Sequence, residues 1–179
     1  MNVSNRKVHK FIGLVVSVQL LLWTISGIFF SFNKIDQIRG ENYLKSVEQI
    51  TPQKISRISF DEAKELVIEK TYLKPISVEE ITEEKRGSEF RGRNLPLYKL
   101  SSLDSSDKEV NVYVDPSLGK IVAIRTFEWR LWDLMWGLHI MDWRDRDDIN
   151  NLFLKIFSIL ALISSITGIV LFFRPKSKA

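Results

Sequence analysis

Histidine is the residue type in this chain that is best suited to cofactor chemistry, and it occurs twice, as His9 and His139. A neutral imidazole binds haem iron and other transition-metal ions through a ring nitrogen, and an electron-transfer haem usually takes two axial ligands. The chain has no cysteine, which excludes disulfides, thiolate metal sites, iron–sulfur clusters and a cysteine nucleophile. The alternative is that both histidines are polar anchors at a membrane interface.

Other arrangements of reactive side chains are weaker. There is no Ser–His–Asp set, no glycine-rich phosphate loop and no flavin or nicotinamide motif, so an electron-transfer role requires a partner as electron donor. An acidic cluster could bind a cation, but two alternating arginines favour a solvated, salt-bridged loop. That cluster comprises Asp142, Asp145, Asp147 and Asp148, with Arg144 and Arg146 between them. The net charge of +4 comes largely from the tails, so no nucleic-acid partner is expected.

Two long apolar segments stand out in a chain whose mean hydropathy is near zero. Phe11–Phe32 has no charged residue and, as a helix, reaches about 33 Å, enough for a hydrocarbon core of about 30 Å. Leu152–Phe173 has one charge, Lys155, which can extend to the interface. Both are predicted to span a membrane rather than to be buried core helices. The first is predicted to be an uncleaved anchor, because it is longer than the apolar region of a signal peptide and no A-x-A site follows.

Basic residues flank the spans and predict their orientation. They are Arg6, Lys7 and Lys10 before the first span, and Arg174, Lys176 and Lys178 after the second. Because basic flanks stay in the cytoplasm, both termini are predicted there, with the central domain in the periplasm of a bacterial inner membrane. The predicted order is 1–10 cytoplasmic tail, 11–32 first span, 33–127 extracytoplasmic domain, 128–151 interfacial helix and charged loop, 152–173 second span, 174–179 cytoplasmic tail.

The central stretch has the pattern of a helix packed on a small antiparallel sheet. Ser59 can cap a helix whose first turn contains Asp61 and Glu62, and Pro75 ends the apolar pattern. The predicted strands are 76–83, 95–100, 109–114 and 120–125. The last two form a hairpin, because Asp115-Pro116-Ser117-Leu118-Gly119 has the residues of a tight turn.

A tryptophan-rich segment precedes the second span. Trp129, Trp132, Trp136 and His139 recur at i, i+3, i+7 and i+10, which places them on one helical face. Indole rings favour the membrane interface, so this helix is predicted to lie on the outer leaflet. The sequence therefore predicts an α+β membrane protein with two transmembrane helices flanking a small extracytoplasmic domain, plus an interfacial tryptophan-rich helix.

Four motifs follow one another in an order that is typical of one family. The first helix carries Arg6-Lys7, His9, Gly13 and Trp23-x-x-Ser26-Gly27. The hairpin reads YVDPSLG, with Leu118 where the family commonly has threonine. Next come WDLMWGLHIMDWRDRDDINN, around the second histidine, and SSITGIVLFFR. Together these motifs resemble the PepSY-associated transmembrane proteins over nearly the whole chain.

The resemblance implies a PepSY domain and a role in iron reduction. The larger members of the family resemble inner-membrane ferric-siderophore reductases that carry haem b on membrane histidines, and the matching residues here are His9 and His139. Those members have four or more spans, so this chain is either an electron-transfer protein itself or an accessory subunit of a larger complex. PepSY domains also resemble inhibitory propeptides of thermolysin-type peptidases, which leaves a membrane-anchored binding or regulatory module as a further hypothesis.

The two histidines are predicted at opposite membrane faces. With about 30 Å of hydrocarbon between the faces, they cannot share one iron. A two-fold homodimer would bring together a His9 pair at the cytoplasmic face and a His139 pair at the outer face, because a two-fold axis duplicates each site. The resulting four-helix bundle would hold two haems in series and pass electrons to a ferric chelate or a periplasmic redox protein.

Overall fold

The computed structural model describes residues 3–45 and 57–173. These fall into two compact units, one of Met1–Phe30 with Met135–Ala179 and one of Ser31–Leu134, which we call the membrane unit and the sheet domain. Arg174, Lys176 and Lys178 lie outside the described residues, as does the side chain of Arg6, so the structure does not address their predicted role in orientation.

Two long helices dominate the membrane unit. Helix α1 (Val3–Phe32) has 30 residues and helix α5 (Leu152–Phe173) has 22. Both contain segments long and apolar enough to cross a membrane, His9–Phe32 and Leu152–Val170. Helix α1 begins before the predicted span because its basic N-terminal flank is also helical. The chain is thus a membrane protein with two apolar spanning helices.

One face of α1 is buried and carries two polar side chains, Gln19 and Ser26. Val16, Gln19 and Ser26 are buried at spacings of three and seven residues, which puts them on one stripe. On the same side, a Cβ added at Gly13 would lie 4.0 Å from Ser164 Oγ of α5. The remaining apolar residues of α1 and α5 are largely exposed, as suits a surface in contact with lipid tails.

Helix α4 (Phe127–His139) leads to the loop before α5. Met141 turns the chain with a positive φ of 57°. Asn151 caps α5 by accepting from the Leu154 amide at 2.9 Å, and its side-chain amide donates to the Ile140 carbonyl at 2.8 Å. These bonds fix the end of α4 against the start of α5.

The sheet domain has one antiparallel sheet of four strands in the order β1-β2-β3-β4. The strands are β1 Lys74–Ile81, β2 Leu97–Leu103, β3 Glu109–Asp115 and β4 Lys120–Arg125. Asp115 closes the last hairpin, since its Oδ1 accepts from the amides of Ser117 and Leu118 at 2.9 and 3.1 Å. Gly119 supplies the left-handed residue of this turn with a φ of 55°.

Helix α3 (Phe60–Lys70) packs on this sheet. It begins with a capping box in which Ser59 Oγ accepts from the Glu62 amide, while the Glu62 carboxylate accepts from the Ser59 amide. Its buried Ala63 and Val67 meet the apolar face of the sheet. The α+β architecture predicted from the sequence is therefore confirmed. Two short elements were not predicted, α2 (Ile35–Ile38) and a 3₁₀ turn (Glu41–Tyr43).

Candidate functional site

The His139 ring is held by a hydroxyl of the first spanning helix. Ser26 Oγ lies 2.7 Å from His139 Nδ1, and Ser26 is 1% exposed. The same Oγ lies 2.8 Å from the Leu22 carbonyl and 3.1 Å from the Trp23 carbonyl of its own helix. Two carbonyls of its own helix thus compete for the one hydrogen of this hydroxyl; with the hydrogen on either carbonyl, Ser26 Oγ accepts from His139 Nδ1–H.

This direction of the hydrogen bond corresponds to one tautomer of His139. With its proton on Nδ1, a neutral His139 presents the Nε2 lone pair. Nε2 has no hydrogen-bond partner in the described part of the chain. A histidine ligand typically binds metal with one ring nitrogen while the other donates to a fixed acceptor, and Ser26 is such an acceptor.

Aromatic side chains surround the same ring. Trp136 is nearly parallel to His139, at 12° with ring centroids 6.4 Å apart, and Phe30 approaches edge-on at 5.7 Å. Trp23 donates from Nε1 to the His139 carbonyl at 2.7 Å, with its ring centroid 6.4 Å from the imidazole. Burial lowers the pKa of His139, which favours the neutral imidazole that a metal site requires.

His9 repeats this arrangement at the other end of the membrane unit. Its Nδ1 lies 3.0 Å from Thr167 Oγ1 of α5. The Thr167 hydroxyl is also 2.8 Å from the Ile163 carbonyl and 3.0 Å from the Ser164 carbonyl, so two carbonyls of its own helix compete for its hydrogen. With the hydrogen on either carbonyl, Thr167 accepts from His9 Nδ1–H, and the His9 Nε2 lone pair has no hydrogen-bond partner among the described residues.

The structure does not bring the two histidines together. Ser26, which contacts His139, follows His9 by 17 positions on one continuous helix, a separation of about 26 Å along its axis. Between them lies Gln19, whose Nε2 is buried without a hydrogen-bond partner in the described residues. The membrane unit therefore has two separate imidazole sites.

Both rings fit the requirements of a haem ligand. Each residue is half-buried and has Nδ1 within 3.0 Å of a hydroxyl that can accept its proton. His139 also has an aromatic surround suited to a flat macrocycle. In the described ranges, no three His, Cys, Asp or Glu side chains converge into a metal cluster, so the histidines are the candidates for ligation.

Ser26, Thr167 and Trp23 were not recognised as site residues from the sequence. A signal was present in Trp23 and Ser26, which are three apart on one helical face within an apolar segment. The tryptophans that were predicted on one helical face have different neighbours in the structure. Trp136 lies beside His139, whereas the Trp129 ring is 4.2 Å from the Arg125 guanidinium in the sheet domain.

The acidic loop after α4 is organised by Asp142. Its two carboxylate oxygens accept backbone amides at 3.0–3.3 Å from Arg144, Asp145, Asp147 and Asp148. Burial acts to raise the pKa of Asp142, but these four amides outweigh it and lower the pKa. The Asp142 carboxylate therefore stabilises the turn before α5.

A family model described as "PepSY-associated TM region" matches residues 6–179. Since the match covers nearly the whole sequence, the chain belongs to this family. Neither the curated proteins nor the solved structures include a match to the chain.

Proposed function

We propose that this membrane protein transfers electrons through haem b bound at His9 and His139. The observation that carries the proposal is shared by both residues. Each ring places Nδ1 within 3.0 Å of a hydroxyl that also lies close to carbonyls of its own helix, and neither Nε2 has a hydrogen-bond partner among the described residues. We assign the proton of each neutral ring to Nδ1, which leaves the Nε2 lone pair for a ligand. If the two histidines were only polar anchors at the membrane interface, nothing would require the same tautomer at both.

The side chains of this unit would bind and orient the cofactor. Ser26 and Thr167 hold the imidazoles at fixed rotation, Trp23 holds the backbone of His139, and Trp136 and Phe30 offer apolar surface. Bound haem supplies a reversible one-electron change at iron. The chain supplies one imidazole per site, so the second axial ligand would come from a second copy in a two-fold homodimer.

The direction of transfer follows from the proposed orientation. With both termini in the cytoplasm of a bacterial inner membrane, His9 lies at the cytoplasmic face and His139 at the periplasmic face. A separate electron donor would act at the His9 site. The acceptor would be a ferric siderophore, another ferric chelate or a periplasmic redox protein, either directly or within a larger reductase complex.

The absorption spectrum of the full chain, purified in mild detergent from haem-replete cells, tests this proposal. Bound haem should give a Soret band, and dithionite should sharpen a bis-imidazole α band. A colourless protein would overturn the haem proposal.

Histidine variants separate the two sites. His9→Ala and His139→Ala should each retain about half of the haem per chain, because the sites share no ligand, and the double variant should retain none. Loss of all haem in either single variant would contradict two independent sites. If both variants kept function while disruption of the Tyr113–Gly119 hairpin abolished it, the sheet domain would instead act as a binding module.

A further inference from the structure

A cavity of about 400 Å³ opens in the sheet domain, and neither histidine is among its lining residues. Three arginines and one glutamate supply its charged side chains, and Trp129 with aliphatic residues supplies its apolar surface. We call it the arginine pocket. The charged residues are Arg39, Arg93, Arg125 and Glu41. Its volume is typical of a pocket for a small organic molecule, about 300–1,000 Å³.

Arg125 is the central feature of the arginine pocket. It is 9% exposed, and its guanidinium donates to two neutral acceptors, the Glu89 carbonyl at 2.9 Å and the Ile124 carbonyl at 3.0 Å. Its Nη2 has no partner among the described residues, and no carboxylate pairs with it. A buried cation without an anionic partner is costly; the Trp129 ring, 4.2 Å from the guanidinium, offsets part of this cost, and a bound anion would offset more.

The charges around Arg125 do not compensate for its burial. Burial and then the nearby Arg93 cation lower the pKa of Arg125 to about 10. The closest carboxylate, Glu89, is already engaged by Arg130, Asn111 and Tyr113. The cavity therefore has an excess of positive charge close to a desolvated guanidinium.

The other two arginines, Arg39 and Arg93, line the same cavity. Arg39 and Arg93 are exposed, and neither forms an ion pair in the described ranges. Guanidinium groups bind phosphate and carboxylate oxygens through paired N–H donors, which suits them to an oxyanion. Glu41 is the one acidic residue among the lining residues, so the three arginines outnumber it.

In the apolar wall of the arginine pocket, Gly40 packs directly against Ile124. This residue has a φ of 75°, and an added Cβ would lie 2.7 Å from Ile124 Cγ2. The backbone before the 3₁₀ turn is thus pressed onto strand β4 at a point where a side chain does not fit. Leu44, Ile121 and Trp129 extend the apolar surface beside the arginines.

We propose that the arginine pocket binds an amphiphilic oxyanion, with a phosphate or carboxylate group at Arg125 and Arg93 and an apolar part against Trp129 and the β4 wall. Two sources offer this chemistry. One is the headgroup region of an anionic phospholipid, since Arg39 follows the end of α1 by seven positions. The other is a water-soluble organic phosphate or carboxylate. The proposal does not depend on haem binding.

Titration calorimetry of the full chain in a neutral detergent tests the pocket. The probes are dihexanoyl-phosphatidylglycerol, zwitterionic dihexanoyl-phosphatidylcholine, and water-soluble hexyl phosphate. We expect one or both anionic probes to bind at least about tenfold more tightly than phosphatidylcholine. The Arg39→Gln/Arg93→Gln double variant should bind them about 10- to 100-fold more weakly, because charge-assisted hydrogen bonds are lost. Exposed Arg86→Gln, outside the pocket, is the matched control.

The two sources give different outcomes. Tight binding of phosphatidylglycerol alone would assign the pocket to lipid, whereas equal or tighter binding of hexyl phosphate would assign it to a soluble oxyanion. Because neither the Arg39 nor the Arg93 side chain makes a hydrogen bond in the described structure, and a substitution keeps their backbone bonds to Ile35 and Phe90, their replacement should not unfold the domain. Undiminished binding by the double variant, or no preference for either anion over phosphatidylcholine, would overturn the proposal.

Discussion

Ser26 and His139 are 113 positions apart in the chain, and their side chains meet at 2.7 Å between Oγ and Nδ1. The carbonyls of Leu22 and Trp23 compete for the serine hydrogen, and with the hydrogen on either of them the imidazole is the donor. A single buried hydroxyl thus holds the Nδ1 edge of the His139 ring. Thr167 does the same for His9 at the other site.

The first prediction removes the acceptor at His139. Ser26→Ala leaves Nδ1–H without a partner and frees the ring to rotate, so haem affinity at this site should fall about 10- to 100-fold. Haem per chain at limiting haem, and the reduction potential of the remaining haem, measure the effect. Ser26→Thr should restore binding because it restores the hydroxyl.

Ser17→Ala is the matched control for this change. Ser17 is exposed on the same helix, and its hydroxyl donates to the Leu14 carbonyl. Its replacement should leave haem content and potential unchanged. An equal loss in both variants would mean that the effect comes from the helix and not from the His139 contact.

Much of the fold could be predicted because its signals are local. The Ser59 capping box and the Asp115–Gly119 turn depend on residues within five positions of one another. The contacts that define the site are not local. Ser26 and Thr167 each meet a histidine more than 100 positions away, and helical periodicity does not identify that partner. Periodicity also grouped Trp129 with Trp136, whereas packing gives them different neighbours.

The second prediction concerns the His9 site. Thr167→Val keeps the shape of the side chain but removes the acceptor of His9 Nδ1–H. We expect selective loss of haem from this site, again by about 10- to 100-fold in affinity, with the His139 site intact. Haem titration of Thr167→Val in the His139→Ala background measures binding at the His9 site alone. Thr24→Val, at an exposed threonine bonded to its own helix, should bind haem normally.

The third prediction concerns Gln19, which lies between the two sites. Its Nε2 is buried without a partner in the described residues, and such a group costs about 1–3 kcal/mol. Gln19→Leu should therefore raise the Tm in detergent and leave haem content unchanged. A lower Tm would show that the amide has a partner in the assembled protein, and Gln19→Glu would then test whether its donor is required.

The fourth prediction concerns Glu89, which organises the sheet domain. Its carboxylate accepts from Asn111 Nδ2 at 2.8 Å and Tyr113 Oη at 3.0 Å, and it pairs with Arg130. Burial acts to raise the pKa of Glu89, but the bonds from Arg130 and Asn111 outweigh it, so the pKa is lowered below its usual value of 4.5. A lowered folded-state pKa means that the stabilisation is complete above the unfolded-state value and is lost as the pH falls through the folded-state value.

Glu89→Gln should therefore change both the stability and its dependence on pH. At neutral pH it removes charge-assisted bonds to Arg130, and we expect a loss of about 1–3 kcal/mol in the free energy of unfolding. Below about pH 4.5 the gap between wild type and variant should begin to narrow, because the Glu89 carboxylate is protonated first in the unfolded state, and the gap should close as the pH falls through the lower folded-state pKa. Thermal unfolding from pH 3 to 7 measures this gap, with exposed Glu84→Gln as the control. A gap that stays constant over this range would contradict the assignment of the ionised Glu89 carboxylate as the stabilising group.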